Sequence, residues 1–186
     1  MNNNSESSWK TLSSTVVHRN QWFSVRQDTV IRPGGVRGEY NVVERPDSVF
    51  IVALDEEARV RLIGQHRYAT GTYSLEIPAG GSEGQDPLVA ARRELQEETG
   101  LVAAAWEPLG RVQCANAVLN LHGHVFLATG LTQTGSDEQA QEGIVEQRVV
   151  PLGQALQMVR RGEITDSQSI TGLSLAAMHL GWVRFE

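Results

Sequence analysis

The sequence predicts an α/β protein with a small antiparallel β-rich region at its front. Three observations carry this. Short strings of β-forming residues fill 11–43, punctuated by Pro33-Gly34-Gly35. Ser48-Val49-Phe50-Ile51-Val52-Ala53-Leu54 is a continuous apolar run of the kind a buried strand requires. A well-bounded helix occupies 86–99, between strand-like segments.

Taken in order, residues 1–8 (MNNNSESS) are polar and expected to be disordered. Residues 9–47 form the small β-rich region, with strands expected at 15–18, 22–26, 29–31 and 40–43, and Arg45-Pro46-Asp47 sets it off. Residues 48–186 form the main domain. After the apolar run, Asp55-Glu56-Glu57 makes a turn and 59–63 returns as a strand. Pro78, Gly80, Gly81 and Gly84 mark a loop before the helix. Asp86 can cap that helix, Pro87 suits its first position, and Gly100 suits the left-handed stop. Further strands are expected at 106–112, 123–128 and 145–150. A short helix over 151–161 ends at Gly162, and a last helix runs from Asp166 or Ser167 to Leu180. The stretch 129–143 is polar and long for a connection.

Composition narrows the function. With 186 residues and 40% hydrophobic content, the chain can bury a core. A net charge of −6 argues against a nucleic-acid backbone as partner, yet an acidic protein binds an anionic substrate when a divalent cation lies between them. Cys114 is the only cysteine, which rules out an intrachain disulfide and a cysteine zinc cluster. No signal-peptide core and no run near ~18 apolar residues is present. The expectation is a soluble cytoplasmic protein with no membrane partner.

The chemistry concentrates in Leu88 to Leu101. On a helix Glu94, Glu97 and Glu98 stand at i, i+3 and i+4 and share one side. By itself such a cluster is most simply a solvated acidic face. Gly80 and Gly81 just ahead leave room for close approach, and Leu88, Ala91, Leu95 and Leu101 supply a core side that fixes where the carboxylates point. The run Arg93-Glu94-Leu95-Gln96-Glu97-Glu98-Thr99-Gly100-Leu101 resembles the C-terminal nine positions of the Nudix box without exception. Leu75-Glu76-Ile77-Pro78-Ala79-Gly80 and the helical tail are similar to the ADP-ribose and nucleotide-sugar pyrophosphatase branch of that family. Two departures stand out. Twelve residues separate Gly80 from Arg93 where the pattern has thirteen, and the first glutamate of the box falls on Gln85, with Glu83 as a nearby carboxylate.

The resemblance implies a Nudix α/β/α sandwich with a mixed sheet. It also implies Mg²⁺, or Mn²⁺ in its place, held by Glu94, Glu97, Glu98 and the Ala79 carbonyl, and hydrolysis of a nucleoside diphosphate linked to another moiety. Mg²⁺ takes six oxygens and is commonly bound by one or two carboxylates, waters and substrate phosphates, which suits this set. Glu97 and Glu98 are the catalytic candidates on the helix. Glu142, then Glu146 and Glu138, are candidates for a general base on the 129–143 loop and just after it. Arg93, with Gly80 and Gly100, would support the site, and Arg67 and Glu76 would meet substrate. Trp22 and Phe23, read as strand neighbours pointing to opposite faces, are candidates for stacking on a base or for a homodimer surface in the N-terminal sheet. His122 and His124 are read as strand-surface residues. Hydrolysis of nucleoside triphosphates or dinucleoside polyphosphates, and nucleotide binding without turnover, remain open alternatives.

Overall fold

The computed structural model describes residues 8–135 and 139–183. The disorder expected for 1–8 therefore falls, Ser8 apart, outside the described residues. The chain divides into two compact units. One comprises the described residues up to Pro46 together with Gln113–Leu121; the other comprises Asp47–Val112 and the described residues from His122 onward.

The first unit is a four-stranded sheet. β1 (Lys10–Arg19), β2 (Ser24–Ile31) and β3 (Arg37–Glu44) form an antiparallel meander. The two strands expected at 22–26 and 29–31 are one strand, because Gln27 and Asp28 keep their ladder partners Asn41 and Tyr40. Trp22 and Phe23 are not strand residues. They close the turn before β2, where the Asn20 side-chain oxygen accepts both backbone N–H groups at 2.9 Å. Strand alternation therefore does not govern them. Trp22 is 65% exposed, and half-buried Phe23 leans on the His18 ring.

The second unit holds two sheets and three helices. β4 (Ser48–Ala53) and β5 (Arg59–Arg67) are followed by β6 (Thr72–Glu76) and β7 (Ala79–Gly81), two short strands that the glycine- and proline-marked loop concealed. Helix α1 (Pro87–Thr99) has Asp86 as its N-cap, accepting from the N–H groups of Leu88 and Val89, and ends at Gly100 with φ of 69°. Then come β8 (Leu101–Gln113), β9 (Leu119–Asn120), which pairs parallel to β3 in the first unit's sheet, β10 (His122–Gln133) and β11 (Ile144–Pro151). Helices α2 (Leu152–Arg160) and α3 (Ser167–His179) finish the chain. β10 runs five residues past its expected end at 128, so the polar connection shrinks to 134–143.

The sheet β7-β4-β10-β8 is mixed. β4 runs parallel to β10 and antiparallel to β7, and all six of its residues are buried, as its unbroken apolar sequence requires. The sheet β11-β5-β6 is antiparallel. Helix α1 packs on β4, β7 and β10, α3 packs on β4 and β10, and α2 packs on β5 and β11. Val49, Ile51, Ala90, Ala91, Leu95, Leu101 and Phe126 make the core beneath α1. Truncating a fully buried leucine such as Leu95 to alanine costs about 2–5 kcal/mol in such surroundings. That packing fixes the rotation of α1. Among the described residues, no helix is long and apolar enough to cross a membrane.

Candidate active site

Leu95 and Ala91 turn one side of α1 into the core, and the same rotation brings Glu94 and Glu98 against β7. Both carboxylates are nearly closed off, Glu94 at 7% and Glu98 at 4% exposure. Glu98 Oε2 accepts from the Ala79 N–H at 2.8 Å. Glu94 lies over Gly80, where an added Cβ would meet the carboxylate carbon at 2.0 Å. Gly80 is thus a matter of space. Ala79 enters through its amide, and the neighbouring Pro78 carbonyl is taken by the Ile51 N–H at 2.9 Å.

Arg93 organises the third carboxylate. Its guanidinium contacts Glu97 at 2.8 Å and Glu94 at 2.9 Å, and donates to the Gly81 carbonyl at 3.0 Å. One side chain therefore ties the helix to β7 and directs part of its charge to Glu97. Glu83, in the turn between β7 and α1, adds a further favourable charge and has φ of 52°. Gln85 closes that turn through its backbone N–H on the Ser82 carbonyl at 2.8 Å, and its side chain is exposed.

Burial pushes the Glu98 carboxyl up to about 8 and the Glu94 carboxyl up to about 7. Ala79 and Arg67 oppose the shift at Glu98, and Arg93 opposes it at Glu94. Neither prevails. The mutual repulsion of the pair and the charge of Glu142 add to the rise at Glu98, so Glu142 lies within electrostatic reach of both carboxylates. Glu146 is engaged elsewhere. It accepts from the Tyr73 hydroxyl at 2.5 Å and from Arg148 at 2.6 and 2.8 Å. Glu138 lies outside the described residues.

Arg67 and Glu76 form a two-pronged pair across β5 and β6, at 2.9 and 2.5 Å. Burial would raise the Glu76 carboxyl, but the hydrogen bonds from Arg67 and Ser74 and the arginine's charge hold it below the usual carboxylate range. Arg67 also feels Glu98 and Asp166, so its guanidinium faces the carboxylate side of the unit. The 77–79 entry is held from below: Ser169 Oγ accepts from the Ile77 N–H at 2.9 Å and pairs with Asp166 at 2.7 Å.

Tyr73, Ser74 and Ser169 are absent from the residues expected from sequence. The one local sign for Tyr73 is Gly64, whose missing side chain leaves room for the tyrosine hydroxyl. Trp22 and Phe23 belong to the other unit, where they help line a shallow cavity of about 270 Å³. His122 and His124 both face Asp47, at 3.5 and 2.9 Å.

Hard carboxylate oxygens, buried, mutually repelling and pressed against a side-chain-free backbone, fit a divalent cation. The fit is to the enclosed Glu94–Glu98 pair, with Glu97 beside it, completed by water and substrate oxygens. Among the described residues no set of three acidic, histidine or cysteine groups converges as a metal cage. Arg93 bridges Glu94 and Glu97, at 2.9 and 2.8 Å, so the third carboxylate stays joined to the pair.

Comparison with known proteins bears on the same residues. The family model of the NUDIX domain matches residues 44–170, and that of the nucleoside diphosphate sugar hydrolase N-terminal domain matches residues 9–43. Over 183 residues the chain is 34% identical to an ADP-ribose pyrophosphatase of Mycobacterium tuberculosis, covering 96% of this chain and 88% of that protein. A CMP-5'-(N-acetyl-N-hydroxy-3-aminopropyl)phosphonate hydrolase of Streptomyces rubellomurinus is 31% identical over 177 residues, covering 95% and 85%. In three dimensions the chain superposes on an ADP compounds hydrolase with a TM-score of 0.81 at 22% identity, covering 94% and 95%, a likeness of fold. The carboxylate helix, its glycine cradle and these matches agree: the chain belongs to the NUDIX family, whose members generally use divalent metal ions.

Proposed function

We propose that this protein is a Mg²⁺-dependent pyrophosphohydrolase acting on a nucleoside diphosphate joined to another moiety, of the ADP-ribose or nucleotide-sugar type. The products are a nucleoside monophosphate and a phosphorylated remainder. The observation that carries the reading is the buried Glu94–Glu98 pair against Gly80, two enclosed carboxylates that repel each other. Of the relatives named above, one is by its description a pyrophosphatase of ADP-ribose and the other a hydrolase of a CMP-linked phosphonate, and their similarity spans nearly the whole chain.

In this reading a divalent ion, when bound, neutralises the diphosphate and polarises its phosphoryl oxygens. The protein's residues do the rest. Glu94, Glu97, Glu98 and the Ala79 carbonyl hold the cation, Mn²⁺ serving in place of Mg²⁺. Arg93 keeps Glu97 in register with them. Arg67 shares its guanidinium between Glu76 and a substrate phosphate. Glu142 takes a proton from the attacking water as its oxygen bonds to phosphorus and the bridging P–O bond breaks. Trp22 and Phe23 offer aromatic surface for a base. Strand β1, an edge strand exposed along its length and carrying Leu12, Val16 and Val17, is the homodimer surface. The location is cytoplasmic.

The test is a substrate panel of ADP-ribose, GDP-mannose, deoxynucleoside triphosphates and diadenosine polyphosphates, with released nucleotide and phosphate quantified with and without Mg²⁺. Turnover of the first two with release of a monophosphate is expected. Exclusive release of inorganic phosphate or pyrophosphate from triphosphates would overturn the substrate class. Tight nucleotide binding without turnover, for which Gln85 and the shortened loop are the motive, would overturn catalysis.

A further inference from the structure

A cavity of about 490 Å³ lies between α1 and the first residues of β8, with Arg93 standing between it and Glu94. This volume falls within the usual range of small-molecule sites. Its walls differ in chemistry. Val102, Ala103, Ala104 and the Trp106 indole supply an apolar side, while Arg92, Arg93 and Gln96 supply a polar one. Trp106 is fixed in place: its Nε1–H donates to the Ala103 carbonyl at 3.3 Å, and Phe126 meets it edge-to-face at 6.3 Å. The aromatic wall is thus present before any ligand arrives.

Arg92 is the informative residue. It stands one turn from Gln96 on α1, is exposed, and has neither hydrogen bond nor ion pair among the described residues. Its neighbour Arg93 is engaged by Glu94, Glu97 and Gly81. The cavity therefore offers one uncommitted cation beside an ordered aromatic ring and small aliphatic groups. That combination suits an anion with a planar body: the phosphate pairs with Arg92, and the flat portion lies on Trp106.

We infer that this cavity is a second binding site, for a nucleoside monophosphate, outside the carboxylate site. The choice of a nucleotide as occupant rests on the proposed reaction, which releases one. The presence of a planar-anion site rests only on the cavity and its walls.

The experiment uses the full chain carrying Glu98→Gln, in EDTA, so that binding through a metal is removed. Calorimetry with AMP, adenosine and inorganic phosphate reads the two halves of the ligand separately. AMP is expected to bind roughly tenfold or more tighter than either fragment. Arg92→Glu should weaken AMP by roughly tenfold or more and Arg92→Lys by less, because a point charge replaces a fork. Arg67→Ala should leave binding unchanged, and Arg92→Glu should leave hydrolysis unchanged in the otherwise wild-type enzyme. AMP quenching of tryptophan fluorescence should vanish in Trp106→Phe. Equal AMP affinity in the Arg92→Glu protein, or AMP no tighter than phosphate, overturns the proposal. If AMP binds as described and the substrate panel shows no turnover, the hydrolase reading fails while this site stands. Turnover without Arg92-dependent binding removes this site and leaves the hydrolase reading intact.

Discussion

Gly80 lies directly beneath the carboxylate of Glu94, so close that a Cβ at position 80 would fall 2.0 Å from the carboxylate carbon. Gly80→Ala must move Glu94, since the obstruction falls on its buried carboxylate. We expect the variant to fold and to lose roughly 100-fold in kcat/KM, as displacements near 1 Å do in positioned sites. Its apparent Mg²⁺ affinity in activity titrations should fall in parallel. Wild-type kinetics in Gly80→Ala would show that Glu94 is not held where this contact places it.

Glu98→Gln keeps the shape and the acceptor for the Ala79 N–H but removes the charge. Turnover should drop roughly 100-fold or more, the scale on which even outer partners of metal sites act. Circular dichroism should remain that of the wild type. Retained activity would remove Glu98 from the site.

The pH dependence follows from the raised carboxyls. Folding lifts Glu94 from an ordinary 4.5 to about 7 and Glu98 to about 8. Between 4.5 and 8 the folded protein therefore holds more protons than the unfolded chain, and stability falls as pH rises. The pair's contribution is most favourable below pH 4.5 and is withdrawn as pH climbs through 7 and 8. Metal-free wild type minus metal-free Glu94→Gln/Glu98→Gln should show this slope in thermal scans between pH 5 and 8.5. Added Mg²⁺ should raise the melting temperature of wild type more at pH 8 than at pH 6, because the cation binds the ionised pair. A Mg²⁺ effect of the same size in the double variant would refute the assignment.

Arg67→Ala removes the charged partner of the Glu76 carboxylate, which is almost wholly enclosed and keeps only its bond from Ser74. We expect a loss of about 1–3 kcal/mol in urea unfolding at pH 7, the cost of an unsatisfied buried group. Glu76 has a depressed folded pKa, so this contribution is present above 4.5 and lost as pH falls through the folded value. KM should rise in the same variant. An Arg67→Ala protein with altered stability and unaltered KM would leave Arg67 a structural partner only.

Glu142 and Glu146 separate by kinetics. Glu142→Gln should lower kcat by roughly 100-fold with KM nearly constant, the signature of a lost general base. Glu146→Gln should have a smaller effect, since both oxygens of Glu146 are already held by Tyr73 and Arg148. Reversal of the two magnitudes would move the base to Glu146.

The local signals in this chain are strong where the chemistry is short-range. Asp86, Pro87 and Gly100 bound α1 because capping, a fixed proline φ and a left-handed stop act within one turn. The unbroken apolar run of β4 announces a strand buried on both faces. The spacing of Glu94, Glu97 and Glu98 puts three carboxylates on one helical side, and the nine-residue match gives them a family. β6 and β7 are hidden by the prolines and glycines around them, because their strand character comes from partners, with β7 paired to β4 and β6 to β5. Trp22 and Phe23 read as strand residues in sequence, but the Asn20 side chain captures their amides.

The difference between the three carboxylates arises from packing. Helical periodicity makes Glu94, Glu97 and Glu98 equivalent neighbours. The packing of Leu95 and Ala91 closes two of them against β7, raising their pKa values by desolvation, and leaves the third half-buried, joined to Glu94 through Arg93. Which residues carry charge, and which side of α1 they share, is written in the spacing alone. Burial, which depends on strands far away in the chain, decided which of those carboxylates are enclosed and raised.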